Sequence, residues 1–275
     1  MPTYARPSAL EDALSLMQGG GHRLLAGGTD MYPAAGSQLA GDVLDLTGIA
    51  ALRGIFPGDG LRIGGCTTWT DIAETRLPDA LAALQMAARA VGGRQVQNVG
   101  TLAGNLCNAS PAADGVPPLL VCDAVVELAS VRGVRQLPLD RFITGPRQTD
   151  RAADEVLVAV HIPAGGVLGR SVFLKLGARA YLVISIAMVA VRLVRDGDRV
   201  GSIAVAVGAC SGVAQRLPMV ERALIGADLR DAARLVLGRD VRSSLQPIAD
   251  IRASADYRAD AAAELVARAV AQVAA

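Results

Sequence analysis

A mixed α+β chain in two parts is the architecture this sequence predicts, and three features predict it. Residues 61–65, which alternate, and residues 156–162 read as strands, whereas Leu10, Ala13, Leu14 and Met17 fall at helical spacing. The two patterns lack the regular strand–helix alternation of a doubly wound parallel sheet. Gly165-Gly166 and Gly169 mark the internal boundary. A length of 275 residues allows one or two domains.

The elements follow in order. Ser8-x-x-Glu11, after Pro7, has the form of a capping box for the first helix, and Gly19-Gly20-Gly21 ends it. Residues 23–26 read as a strand. Gly27-Gly28 turns the chain, and Thr29 or Asp30 is placed to cap a helix reaching about Leu39. Residues 43–46 suggest another strand. Thr68, with Asp71 three residues on, starts a helix. Pro78 fits a first helical position, with Leu81, Leu84 and Ala88 on one face. A glycine-dotted stretch, 92–104, leads into residues 105–114. Residues 124–130 and 135–139 suggest a hairpin around Gly133, and residues 156–162 end at Pro163. Beyond the boundary, 172–176, 185–194 and 203–209 read as strands, with Asp196-Gly197-Asp198 as a turn. Residues 217–224, 227–237 and 260–273 read as helices.

Composition excludes several classes. Apolar residues make up 52% and charged residues 19%, which rules out disorder. Lys+Arg 27 against Asp+Glu 26 gives no basic excess for nucleic acid, and 3% aromatics offers few stacking platforms. No segment reaches the roughly 18 uncharged apolar residues of a membrane span. The start of the chain lacks a basic region followed by an apolar run, so a cytoplasmic location is expected. Cys66, Cys107, Cys122 and Cys210 stand far apart without metal-site spacing, so no iron–sulfur cluster is expected in this chain. His22 and His161 form no catalytic constellation.

Two loops hold most of the chemical information. In the first, Leu24-Leu25-Ala26-Gly27-Gly28-Thr29-Asp30, a strand feeds a Gly-Gly turn and a hydroxyl residue. Glycine admits close backbone approach, and free N–H groups favour an anion, so the loop is either a pyrophosphate cradle or an ordinary turn. The second runs from Asn98 through Gly100-Thr101-Leu102-Ala103-Gly104-Asn105 to Ser110-Pro111-Ala112-Ala113-Asp114. It offers donors and one carboxylate to a ribose or ribityl hydroxyl, or it is a packed polar turn. No GxGxxG follows a strand and no GxxxxGK[ST] occurs, so a dinucleotide needs another kind of site.

Taken together, the loops resemble those of the FAD-binding medium subunit of molybdenum hydroxylases, the family of carbon monoxide dehydrogenase, xanthine dehydrogenase and 4-hydroxybenzoyl-CoA reductase. Ala26-Gly27-Gly28-Thr29-Asp30-Met31 is similar to its first motif. Thr101-Leu102-Ala103-Gly104-Asn105 and Ser110-Pro111-Ala112-Ala113-Asp114 are similar to its second. Residues 155–163, the stretch Phe173-Leu174-Lys175-Leu176-Gly177-Ala178-Arg179, then Gly208-Ala209, Arg216, Glu221 and residues 254–258 extend the likeness over nearly the whole chain.

The resemblance implies a vanillyl-alcohol-oxidase-type (PCMH-type) FAD-binding fold of two α/β subdomains, about 1–55 and 56–168, then an α+β C-terminal domain, 169–275. It implies FAD in this chain, with molybdopterin in a large partner subunit and [2Fe–2S] clusters in a small one, in a dimer of heterotrimers. Electrons would pass between those clusters and an external acceptor. Substrate hydroxylation would belong to the molybdenum partner, so no catalytic base and no metal site are expected here.

By the same resemblance, Leu24, Leu25, Ala26, Gly27, Gly28, Thr29 and Asp30 form the first part of the FAD site, with amides of residues 25–29 on the pyrophosphate. Gly100, Thr101, Gly104 and Asn105 continue it. Asp114 accepts from a ribose or ribityl hydroxyl, or else caps its loop. Leu157 packs on the flavin or adenine, or is strand core. Lys175 sits near the flavin pyrimidine edge, where a cation stabilises charge on the reduced ring, or lies on the surface. Trp69 is expected to be packing. Two departures stand out: Ala103 replaces a glycine, and Tyr181-Leu182-Val183-Ile184-Ser185 stands where many relatives have an acidic residue and DIA. They leave open a scaffold that has lost FAD; a self-contained flavin oxidoreductase is the other alternative reading.

Overall fold

The structure is a computed structural model that describes residues 3–36 and 40–275. It begins with β1 (Tyr4–Ala5), α1 (Leu10–Met17), β2 (Arg23–Leu25) and β3 (Val43–Asp45). These strands form a parallel sheet in the order β1-β3-β2. Ala13 and Met17 of α1 bury their side chains with Leu44 and Leu46.

A second sheet is antiparallel. Its strands are β4 (Ile55–Gly58), β5 (Gly60–Gly64), β6 (Val125–Ser130), β7 (Gly133–Pro138) and β10 (Val156–Ile162), in the order β4-β5-β10-β6-β7. Helices fill the excursion between β5 and β6: α2 (Trp69–Glu74), α3 (Ala82–Ala90), α4 (Arg94–Val99), α5 (Leu102–Asn108) and α6 (Val116–Val121). Beyond β7 come α7 (Leu139–Phe142) and a small β-ladder, β8 (Ile143–Gly145) with β9 (Gln148–Thr149).

The last part carries β11 (Arg170–Leu176), β12 (Ala187–Asp196), β13 (Arg199–Gly208) and β14 (Gln215–Arg216), one antiparallel sheet in chain order. Then follow α8 (Pro218–Leu224), α9 (Gly238–Ser243) and α10 (Ala255–Ala274). Successive strand residues point to opposite faces. Val189, Val191, Val205 and Val207 therefore pack with Val266 and Val270 of α10, whereas Met188, Ala190, Ala204 and Ala206 join the core of the first part. Burial on both faces explains why β12 and β13 read as continuous apolar runs.

Arginines staple the two parts. Arg192 of β12 donates to the carbonyls of Val121, Gly165 and Leu168 and reaches Asp123 at 3.2 Å. Arg216 of β14 donates to the Leu120 carbonyl at 3.0 Å and to Asp123 at 2.8 Å.

Several expectations are met by other structures. The Ser8–Glu11 box does not form: Ala9 is the N-cap and no side chain caps α1. The helix expected from Thr29 or Asp30 is a series of turns, begun by Tyr32 N–H on Gly28 C=O at 3.0 Å. Its expected end at Leu39 lies outside the described residues. Pro78 caps a 3-10 turn that leads into α3. Residues 227–237 hold only a short 3-10 turn at Ala232–Leu235, while α10 starts five residues earlier than its periodicity suggested, capped by Ser254. In contrast, Thr68 and Asp71 make the reciprocal capping box that their spacing predicts.

Candidate functional site

Parallel strands β2 and β3 deliver the first glycine loop at their carboxyl ends, the usual side for a ligand crevice. The two loops meet there. A Cβ on Gly27 would lie 2.1 Å from the Val99 carbonyl oxygen and 2.7 Å from Gly100 Cα, so only glycine permits this approach. Gly28 has φ +69°, the left-handed region.

Backbone N–H groups accumulate at this meeting point. Among the described residues, the amides of Ala26, Gly27, Gly28, Thr29, Asp30 and Met31 have no protein acceptor. The second loop is stitched down, by Leu102 N–H on Thr67 C=O and Ala103 N–H on Gly65 C=O. Thr101 is the N-cap of α5, and its Oγ1 accepts from Gly104 N–H at 3.1 Å. That leaves the Thr101 hydroxyl hydrogen and its backbone N–H without partners among the described residues. Asn105 carries an unmet hydrogen bond, since its buried Oδ1 has no partner among the described residues.

These loops border a cleft of about 790 Å³, within the size range of ligand and cofactor sites. Leu24, Leu25, Ala26, Gly27, Gly28, Thr29, Asp30, Gly100, Thr101, Gly104, Asn105, Asp114 and Leu157 all line it. Trp69, expected only to pack, is buried and also lines it. Ala103 lies within helical α5 without positive φ, so its methyl is accommodated on the wall.

Lys175 is the one predicted residue that does not reach the cleft wall. Its Nζ lies behind Asp114, 2.6 Å from Oδ2, and donates also to the Ala90 carbonyl at 3.2 Å. Its charge is thus met within the protein. Ser185 donates to the other Asp114 oxygen at 2.6 Å. Asp114 is only 7% exposed. Burial pushes its carboxyl up, against the pull of Lys175 and Ser185.

Sequence reasoning missed other wall residues. Val91, Gly92 and Val96 come from around α4, and Cys107 and Asn108 from α5. Arg151 lines the wall while donating to the Ala152 and Glu155 carbonyls. Leu182, Val183 and Ile184 close one side, whereas Tyr181 is 78% exposed and off the wall. The changed segment after Arg179 was the signal for these three. Nothing in the local pattern pointed to Val91 or Arg151.

A dinucleotide fits this chemistry. Consecutive free amides suit a pyrophosphate, a buried carboxylate at the cleft wall suits a sugar hydroxyl, and apolar walls suit an aromatic ring system. Among the described residues no cluster of side chains could hold a metal ion.

Comparison with known proteins places the chain in a class. Residues 1–165 match the family model described as the FAD binding domain in molybdopterin dehydrogenase, and residues 173–273 match the CO dehydrogenase flavoprotein C-terminal domain. The chain belongs to this family of FAD-binding medium subunits of molybdenum hydroxylases, and is an oxidoreductase subunit with an FAD-binding domain. It is 33% identical to a xanthine dehydrogenase FAD-binding subunit of Escherichia coli O157:H7, over 93% of this chain and 90% of that one. It is 32% identical to the nicotine 6-hydroxylase medium subunit of Paenarthrobacter nicotinovorans, over 97% and 95%. The fold superposes on a chain of CO dehydrogenase from Oligotropha carboxidovorans with a TM-score of 0.90 at 25% identity, covering 100% and 98%. These findings bear out the expected fold class. No helix described is long and apolar enough to cross a membrane.

Proposed function

We propose that this chain relays electrons between the [2Fe–2S] clusters of a small partner subunit and an external acceptor, within a complex whose large subunit binds molybdopterin. The observation that carries the reading is the run of six amides, residues 26–31, that have no acceptor among the described residues where the two glycine loops meet beside the cleft. That arrangement supports retained FAD binding over a scaffold role. When bound, FAD supplies both one-electron and two-electron redox chemistry.

The chain's own groups then have these tasks. Amides of residues 26–29, with the Thr101 hydroxyl and N–H, hold the pyrophosphate, and Leu25, Gly104 and Asn105 shape the wall beside it. Leu24 and Asp30 bound the loop, and Gly27 against Gly100 keeps it narrow. Asp114 accepts from a sugar hydroxyl. Leu157, Val91 and the 182–184 segment exclude water from the ring system. Lys175 acts through Asp114, not as a free cation at the flavin edge. The division at residue 168, the dimer of heterotrimers and the cytoplasmic location belong to the same reading.

A visible absorption spectrum of the purified chain, followed by heat release, tests it. Expected is a flavin spectrum with one FAD released per chain. A chain that stays colourless after added FAD would overturn the reading in favour of a scaffold. Reduction of the isolated flavin-loaded chain by an organic substrate would instead favour a self-contained oxidoreductase.

A further inference from the structure

The cleft belongs to the first part of the chain, yet the last part grips one of its walls. Three donors from the C-terminal sheet reach residues 111–114. Ala209 N–H, just past β13, donates to the Pro111 carbonyl at 2.9 Å. Lys175, near the end of β11, holds Asp114 Oδ2, and Ser185, just before β12, holds Asp114 Oδ1, each at 2.6 Å. Ser185 is 1% exposed. Behind them, buried Arg258 of α10 donates to the carbonyls of Ile186 at 2.7 Å and Ala209 at 3.0 Å. One guanidinium therefore ties together the segments that carry Ser185 and the Ala209 donor.

We infer that Ser185 is a positioning residue for Asp114, by which the C-terminal part orients a carboxylate at the FAD site of the other part. The inference rests on the proposed FAD site. A carboxylate offers about four lone-pair sites, and Ser185 and Lys175 occupy one on each oxygen. The carboxylate is thereby held in one orientation, with acceptor capacity left for a ligand hydroxyl at the cleft. Without the Ser185 hydroxyl, Oδ1 loses a charge-assisted hydrogen bond in a buried place and the carboxylate can turn.

The test uses the full chain stripped of flavin and titrated with FAD by fluorescence. Ser185→Ala is expected to bind FAD about tenfold more weakly, the effect of one lost hydrogen bond to a charged group. Ser185→Thr, which keeps the hydroxyl, is expected to retain affinity. Asp123→Asn loosens a contact between the same two parts away from the cleft; it should lower the melting temperature and leave FAD affinity unchanged. In an Asp114→Asn background, Ser185→Ala should add little, because the two act as a unit. Wild-type affinity in Ser185→Ala, equal weakening by Asp123→Asn, or additive losses in the double variant would each overturn the positioning role. If Ser185→Ala does not fold, Ser185→Cys replaces it, with the same expected loss and the same overturning results. No FAD binding by the wild-type chain would sink the cofactor reading itself, and this inference with it.

Discussion

Gly27→Ala probes the contact on which the site depends. The added methyl would sit 2.1 Å from the Val99 carbonyl oxygen, a backbone atom that no rotamer change can move. Restoring an ordinary 3.4 Å contact requires the two loops to part by about 1.3 Å. Overpacking of this kind costs about 1–3 kcal/mol. For a chain of this size, that lowers the melting temperature by several degrees, at about 2–4 °C per kcal/mol. FAD affinity should fall at least about tenfold, since the displaced amides no longer converge on one anion. Gly28→Ala is the control. Its methyl meets the Tyr32 ring at 2.3 Å, the movable end of an exposed side chain, so the left-handed backbone dominates the cost at about 1–2 kcal/mol. The pair should thus differ more in FAD affinity than in melting temperature. Calorimetry and fluorescence titration of the flavin-free chains measure both. A Gly27→Ala chain that melts within a degree of wild type and binds FAD equally would refute the close-approach argument.

Other outcomes follow from buried polar groups. Arg192→Leu should lower stability by about 3 kcal/mol or more, because carbonyls of Val121, Gly165 and Leu168 lose their donor; a calorimetric melt unchanged by the substitution would contradict the staple. Glu155 is held below its ordinary 4.5, chiefly by the Arg135 guanidinium that embraces it. A depressed carboxylate contributes stability above its unfolded value and loses it as pH falls through the folded one. Stability should therefore decline as pH drops below about 4.5, and Glu155→Gln should flatten that decline in urea titrations between pH 3 and 6. Burial pushes the Cys66 and Cys122 thiols up to about 12 and those of Cys107 and Cys210 to about 11. Cys66, Cys122 and Cys210, which are buried, should react slowly with thiol reagents at pH 8 until the chain unfolds, more slowly than Cys107 on the cleft wall; a rapid native reaction of any of the three would show that it is open to solvent.

Local chemistry was legible at several places where a residue's partner is close in sequence, though not at the Ser8–Glu11 pair. Thr68 finds Asp71 three residues on, and the hairpin around Gly133 joins neighbouring strands. The strand Val156–Ile162 announces itself because both of its faces are buried. Thirteen of the fourteen expected site residues line the cleft, since the two loop motifs carry the backbone geometry with them. Tertiary structure decided the rest. α4, α5 and α6 have six or seven residues each and are too short to persist alone, so packing rather than propensity makes them helical. The same holds in reverse after Gly28, where capping residues were present but residues 29–36 bury no face that would sustain a helix. Lys175 is 61 residues from the carboxylate that claims its charge, and Ser185 is 71 residues from it. No local pattern encodes such a pairing. It exists only because the C-terminal sheet lies against the helices of the FAD-binding part and brings those donors to Asp114.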